Sequence, residues 1–390
     1  MSAADFLLLR PHAVNHMPHS VECGSRWRTY GSSSGWSADV MQPALGEHFE
    51  RKHFYLDVPV HDNNKLDNSL TPKEYEEFAK AFSQTSATDI GIPLHLHSFD
   101  RTNAYRVTDF TQCNIPTACI SIAECRNPID NRFYPMRDTC GCSAHFSVER
   151  AVQGALKENL ERQFLLRFWL TKTCTGKIGY PEACILLLGS ACLRLFTELM
   201  NSGDLCALDL TDNRFPGSCI LLCYGNQNLE AEVKYCAGMA YADTRRLALE
   251  KALIELWQTF RFMQALDQTK DMSRNSQDPY LTHFLACNDY RTYQSILSCT
   301  ASPPIQAKHS EAHLTLRNLL HAIRDLDLNG YLYLAPAHPR DACLYLCKYI
   351  SPNIFLHMNN SNNLNIDNTY SAPFLHNIIA SQLSHMVPFP

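Results

Sequence analysis

The pattern Glu-x-x-Glu-Arg occurs twice in this 390-residue chain, as Glu47-His-Phe-Glu50-Arg51 and as Glu158-Asn-Leu-Glu161-Arg162. A third segment, Glu255-Leu-Trp-Gln258, keeps the spacing with Gln in place of the second Glu. Residues three apart share a helix face. Each copy therefore sets two oxygen-bearing side chains side by side, and the first two add an arginine next to them. Carboxylates brought together repel unless a cation joins them. Magnesium takes oxygen ligands and commonly bridges substrate phosphates. Arginine clamps phosphate or carboxylate through a planar fork. The spacing thus points to a magnesium and phosphate site walled by Glu47, Glu50, Glu158 and Glu161, with Arg51 and Arg162 beside it. One such segment alone is ordinarily a solvated, salt-bridged helix face. Its repetition on apolar-rich helices is what favours chemistry.

Other nucleotide signatures are missing. There is no Gly-x-x-x-x-Gly-Lys-[Ser/Thr] loop and no Gly-x-Gly-x-x-Gly after a strand. Gly31-Ser-Ser-Ser-Gly35 reads as a flexible loop, either a phosphate-wrapping nest or a plain linker. Cys140-Gly-Cys142 lacks the Cys-x-x-Cys spacing and a second cysteine pair, so it reads as a tight turn with core cysteines rather than a zinc half-site. A tail ending Pro388-Phe-Pro390 is ordinarily frayed, but a docked one would fix where the carboxylate of Pro390 points.

These side chains need long helices to hold them. A helix is expected from about 37 to 57, with Pro43 in its early part, and others over about 147–170 and 243–265. Thr71-Pro72-Lys73-Glu74 has the cap, proline and glutamate of a helix start, predicting a helix to about Phe82. Residues 181–200 and 311–325 also read as helix. Strands are expected near 115–122, 205–210, 219–224, 332–334 and 342–349, with a turn beginning at Gly238 and an Asn-rich loop over 359–368. Residues 1–35 read as irregular, 268–279 as a mobile loop, and 386–390 as a docked tail. No Gly-, Pro- or Ser-rich linker separates independent units, so one mixed α/β domain over 1–390 is expected. The recurrent unit, a small-residue turn followed by an acid-bearing amphipathic helix, predicts pseudo-symmetric halves around one site.

Composition sets the bounds. The chain is 45% hydrophobic with a formal net charge of −5, which supports a sizeable core and gives no bulk attraction to nucleic acid or anionic membrane. Its 17 cysteines are scattered and read as small buried residues of a reducing cytoplasm. No run of apolar residues is long enough for a membrane span, and the N-terminus lacks signal-peptide features.

Together these segments resemble the YcaO family of ATP-dependent enzymes. The resemblance rests on Ala44-Leu-Gly-Glu47-His-Phe-Glu50-Arg51, on the run from Cys140-Gly-Cys142 through Glu158-Asn-Leu-Glu161-Arg162, and on Gly238-Met-Ala-Tyr-Ala-Asp243 leading into Glu255-Leu-Trp-Gln258. The proline-rich terminus is a further family mark. Phe133-Tyr-Pro-Met-Arg-Asp-Thr-Cys140, Phe355-Leu-His-Met-Asn-Asn360 and Met386-Val-Pro-Phe-Pro390 bring it nearest the McbD-like branch, the cyclodehydratase subunits of microcin-B-type thiazole/oxazole synthetases. The chain departs from the family in lacking Gly-Lys-Gly near the first block, so no phosphate-contacting lysine is assigned. Pro43, Cys140, Phe146 and Arg150 also replace more usual polar or acidic residues.

The resemblance implies a YcaO-like fold around one ATP site. It implies ATP and Mg2+ as cofactors, and conversion of Cys, Ser or Thr in a ribosomal precursor peptide to thiazoline or oxazoline. Glu47, Glu50, Arg51, Glu158, Glu161, Arg162, Glu255 and Gln258 would bind the nucleotide, the first four glutamates holding magnesium. Glu161, Arg162 and the carboxylate of Pro390 would be catalytic. The implied partners are the precursor peptide, a separate peptide-clamp protein and an FMN-dependent azoline dehydrogenase, in a cytoplasmic hetero-oligomer serving peptide-antibiotic biosynthesis. Thioamide or amidine formation and a non-catalytic scaffold role are the alternatives.

Overall fold

The computed structural model describes residues 6–10, 17–24, 30–88, 90–267, 279–301, 312–337, 343–359, 361 and 363–389. The chain opens with β1 (Phe6–Arg10), β2 (His19–Gly24) and β3 (Tyr30–Gly35), which form an antiparallel three-stranded sheet. Then come α1 (Met41–Leu56), β4 (Asp62–Asn64), α2 (Pro72–Thr85), β5 (Phe99–Arg106), β6 (Gln112–Pro116) and α3 (Asp130–Phe133). The middle holds β7 (Cys142–His145), α4 (Val148–Thr171), β8 (Thr173–Cys174), β9 (Gly176–Ile178), α5 (Tyr180–Leu186) and α6 (Cys192–Ser202). After β10 (Asp204–Asp209), β11 (Ser218–Gly225) and β12 (Tyr235–Ala242) comes α7 (Arg245–Asp267). Last are α8 (Pro279–Ala286), α9 (Tyr290–Leu297), β13 (Thr300–Ala301), α10 (Leu316–Asp325), β14 (Tyr331–Ala337) and β15 (Leu344–Ile350).

Two larger sheets organise this mixture. One has strand order β4-β5-β14-β15-β7, with β6 also paired to β5, and the other runs β12-β11-β10-β9. Helix α4 joins them. Its Leu156, Leu160, Phe164 and Phe168 are buried in one cluster with β11, β12 and β15 residues. A helix apolar around most of its circumference belongs inside a protein, and 14 of the 24 residues of α4 are buried. Strands β11 and β12 are likewise buried almost throughout, with α7 covering the face that Leu253, Leu256 and Trp257 pack against.

Local rules hold where they were strongest. The capping box at α2 forms in full: the Thr71 side chain accepts from the Glu74 N–H, and the Glu74 carboxylate accepts from the Thr71 N–H at 2.7 Å. Elsewhere the structure corrects the expectation. The described part of residues 1–35 is not irregular, since it forms β1, β2 and β3, and Gly31–Gly35 is strand rather than flexible loop. Gly238 sits inside β12, not at a turn. The helix expected over 181–200 breaks into α5 and α6 around Gly189, whose φ of +80° ends a helical run. The strand near 115–122 stops at Pro116, and a 3-10 turn follows. Residues 268–278 of the expected mobile loop lie outside the described residues.

Candidate active site

Each acid-bearing helix follows a strand that packs on it: β3 before α1, β7 before α4, β12 before α7. Glycines permit the close approach. A side-chain carbon on Gly31 would overlap the Ala44 carbonyl and the His48 N–H, at the turn of α1 carrying Glu47. One on Gly238 would overlap the Ala252 carbonyl and the Leu256 N–H, at the turn of α7 carrying Glu255. In the middle unit the helix supplies the glycine: Gly154 meets Ser143 of β7. Backbone cannot yield as a side-chain tip can. Gly238→Ala is therefore expected to destabilise the protein by about 2 kcal/mol or more, read as a lowered thermal midpoint. Gly46→Ala, where open space surrounds the Cβ position, should leave the midpoint near wild type.

The predicted glutamates come together, and their commitments differ. Glu47 accepts from the Ser32 N–H at 2.7 Å through one oxygen and pairs with Arg51 at 2.6 Å through the other. Glu161 of α4 accepts from the Tyr241 N–H of β12 at 2.7 Å, and Glu255 accepts from the Met239 N–H of the same strand. Gln258 donates to the Ser32 hydroxyl at 2.6 Å, tying α7 to β3. Glu50 and Glu158 have no hydrogen-bond partner among the described residues, and the charge of Glu50 bears on Glu158. The Nε of Arg51 is buried without a partner.

The electrostatics follow from this crowding. The carboxylates are enclosed on most sides, and solvent still reaches part of each side chain. Burial, then Glu47, pushes Glu50 up to about 8. Burial, then Glu161, does the same to Glu255, also to about 8. Burial and the neighbouring Glu50 hold Glu158 well above the carboxylate range, and burial also raises Glu161. Burial works against the charge of Arg162, yet Glu161, Glu255 and Glu158 together raise its affinity for its proton. Lys157, Lys251 and Lys348 add to the two arginines around the cluster, and burial still raises Glu50, Glu158, Glu161 and Glu255.

A cavity of about 620 Å3 opens alongside, bounded by Glu255 and Gln258 at one side and by Trp36, Cys192, Leu247 and Ile254 elsewhere. Among the described residues no three His, Cys, Asp or Glu side chains converge tightly enough to close a metal centre unaided. A hard cation here would complete its shell from a ligand's oxygens, as magnesium commonly does. Cys140 and Cys142 are buried thiols held well above their ordinary range by burial, flanking Gly141 at φ +73°, which fits the tight turn.

The tail docks as far as it is described. Val387 and Phe389 are buried, and Tyr235 donates to the Pro388 carbonyl at 2.9 Å. Trp169 of α4 donates to the His385 carbonyl at 2.6 Å. Pro390 itself lies outside the described residues. Sequence reasoning missed Ser32, which read as loop, and also Trp36 and Lys348. The signal for Lys348 was there: a lone lysine in the otherwise uncharged strand Leu344–Ile350.

Comparison with known proteins adds the rest. Residues 40–354 match the family described as YcaO cyclodehydratase, ATP- and Mg2+-binding. The Escherichia coli microcin B17-processing protein McbD is 30% identical over 365 residues, covering 93% of this chain and 90% of that protein. The structure of the E. coli microcin synthetase McbBCD complex with pro-MccB17 bound contains a chain that superimposes with a TM-score of 0.88 at 28% identity, covering 98% of this chain and 96% of that one. YcaO from Methanopyrus kandleri, bound with AMPPCP and Mg2+, shares the fold at a TM-score of 0.61 and 11% identity, over 90% of this chain and 86% of that one.

Proposed function

Since the chain belongs to the YcaO cyclodehydratase family, we propose that it catalyses ATP-dependent cyclodehydration of Cys, Ser or Thr in a ribosomally made precursor peptide. The observation that carries this is the cluster of glutamates from three strand–helix units, two of them without partners, beside a cavity of nucleotide size. In this reaction the side-chain nucleophile attacks the preceding amide carbonyl. The oxygen of the resulting cyclic hemiorthoamide is then phosphorylated by ATP, and phosphate leaves as the C=N bond of the azoline forms with loss of the amide N–H proton. An amide oxygen is a poor leaving group at neutral pH, and phosphorylation removes that obstacle.

The residues present fit magnesium: the donors are oxygens, and the cleft holds carboxylates that resist ionising alone. Bound there, the metal would supply neutralisation of phosphate charge. Glu50 and Glu158 are the side chains free to hold it, and Glu47 and Glu161 keep one oxygen on a backbone N–H. Glu255 and Gln258 close the third side, and Gln258 holds Ser32 in place. Arg51 and Arg162 meet phosphate oxygens or brace the acids, and Glu161 and Arg162 stand nearest to a catalytic role. The cavity lined by Trp36 and Ile254 takes the rest of the nucleotide. The docked tail supports a role for the carboxylate of Pro390 in ordering this site.

The McbBCD match supports a hetero-oligomer in peptide-antibiotic biosynthesis. Its other members would be a peptide-clamp protein and an FMN-dependent azoline dehydrogenase. No helix among the described residues is long and apolar enough to cross a membrane. Reducing surroundings suit the free cysteines, and a cytoplasmic location follows in this reading. The test is reconstitution with the partner subunits and precursor. Loss of one water per ring, with ATP consumed and magnesium required, is the expected result. Gain of sulfur in place of oxygen would indicate thioamide formation, and an unchanged peptide mass would reject an enzymatic role.

A further inference from the structure

We propose that Lys348 is a positioning residue for the ATP-dependent reaction, a buried brace that sets the Glu50 turn of α1 against the Glu158 turn of α4. The inference rests on the reading of the cleft as a magnesium–nucleotide site. Lys348 is 6% exposed on β15, among Leu346, Cys347, Tyr349 and Ile350, all buried. Burying a lysine is unfavourable unless hydrogen bonds and nearby charge compensate. Its Nζ donates to the Asp138 carbonyl at 2.9 Å. The Asp138 carboxylate is already taken, accepting from the Cys140 N–H at 3.0 Å and the Met358 N–H at 2.6 Å. Lys348 therefore meets this aspartate through its backbone carbonyl.

The charge is directed elsewhere. Nζ lies 5.9 Å from the ring centroid of Phe54, which stands one helical turn beyond Glu50 on the same face of α1. In the β15–β7 ladder Lys348 sits opposite Cys142, and β7 is the strand that leads into α4. An enclosed void of about 10 Å3, room for one water, is lined by Lys348, Cys140, Tyr134 and Asn159. Asn159 follows Glu158 directly and donates to the Tyr349 carbonyl at 3.3 Å. An ammonium has three donors. One is fixed on Asp138, and the ammonium sits near Phe54 of α1, one turn from Glu50, on the strand that pairs with β7 ahead of α4. Lys348 thus ties the β15–β7 pair to the α1 turn that carries Glu50.

Binding of N-methylanthraniloyl-ATP to the full chain, with Mg2+ and then with EDTA, tests this. Lys348→Met is expected to weaken Mg2+-dependent binding by about tenfold or more while changing binding in EDTA by less than about twofold, the scale expected when a buried charge loses its partner. Propylammonium should restore Mg2+-dependent binding to Lys348→Ala. Equal weakening in both conditions would reveal a general structural role and overturn the proposal, as would unchanged Mg2+-dependent binding. If Lys348→Met does not fold, Lys348→Gln keeps a donor for Asp138 without the charge, and wild-type binding by that variant is fatal to the idea. Failure of every variant to fold, unrelieved by the amine, makes Lys348 a residue of the fold alone and also overturns it. Wild-type protein showing no Mg2+-dependent binding would sink the reading of the cleft instead.

Discussion

Replacing Glu158 by Gln is expected to abolish ATP-dependent ring formation and, at pH 8, to make the ligand-free protein more stable than wild type. The two effects have one cause. Glu158 is enclosed beside Glu50 with no hydrogen-bond partner, and burial and Glu50 both oppose its ionisation. Gln keeps the shape and removes the charge that the empty cleft must tolerate. One pKa unit of relieved strain corresponds to about 1.4 kcal/mol, so a gain of about 1 kcal/mol is a conservative expectation. The catalytic loss is complete because an amide cannot supply the anionic oxygen that a phosphate-bridging cation needs. Glu161→Gln should also lose activity, with a smaller stability gain, because burial raises its carboxylate too but the Tyr241 N–H offsets part of that cost. Calorimetric unfolding and peptide mass analysis on the same preparations decide the matter. A Glu158→Gln protein that is active, or one that is inactive and less stable, contradicts the assignment.

The ligand-free protein is expected to lose stability as the pH is raised from about 6.5 to about 8. Glu50 and Glu255 titrate near 8 when folded, against 4.5 as free side chains. Between those values the folded chain holds protons that the unfolded chain has released, so stability falls with rising pH, by up to about 1.4 kcal/mol per pH unit for each proton. It levels off once both groups are ionised. His53, His145 and His357, held below their ordinary range by burial, push the opposite way, and their window ends near 6.5. Nucleotide with magnesium reverses the glutamate effect, because it favours the ionised forms. Binding should tighten from pH 6.5 to 8 and release protons, seen as a heat of binding that depends on the buffer's ionisation enthalpy. Glu50→Gln should flatten the stability slope. A slope of the opposite sign, or binding that weakens toward pH 8, refutes this account.

The helices carrying the acids were legible because spacing three residues apart says what faces what, and because the cap at Thr71 needs no tertiary context. The partnership of each acid was not legible. Glu47 and Glu50 look alike in sequence, but one turns toward the Ser32 N–H and the other does not, and only the placement of β3 decides which. That strand was misread because Gly-Ser-Ser-Ser-Gly has poor strand propensity. Pairing with β2 and packing on α1 override it. Gly238 was misread for the opposite reason, since glycine in a strand can mark close backbone approach as well as a turn. Lys348 escaped notice because nothing in sequence ties residue 348 to residue 50.

The bond from Gln258 to Ser32 spans most of the chain, and the one from Tyr241 to Glu161 spans two of the strand–helix units. Contacts this far apart form late in folding, because long loops must close before they are rewarded. The cleft is therefore finished only after a growing polypeptide has delivered α7, and a shorter nascent chain carries the acids without the walls. If the nucleotide binds among these acids as proposed, it joins three elements at once. Its arrival should slow hydrogen exchange in α1, α4 and α7 together, whereas a purely local site would protect one helix.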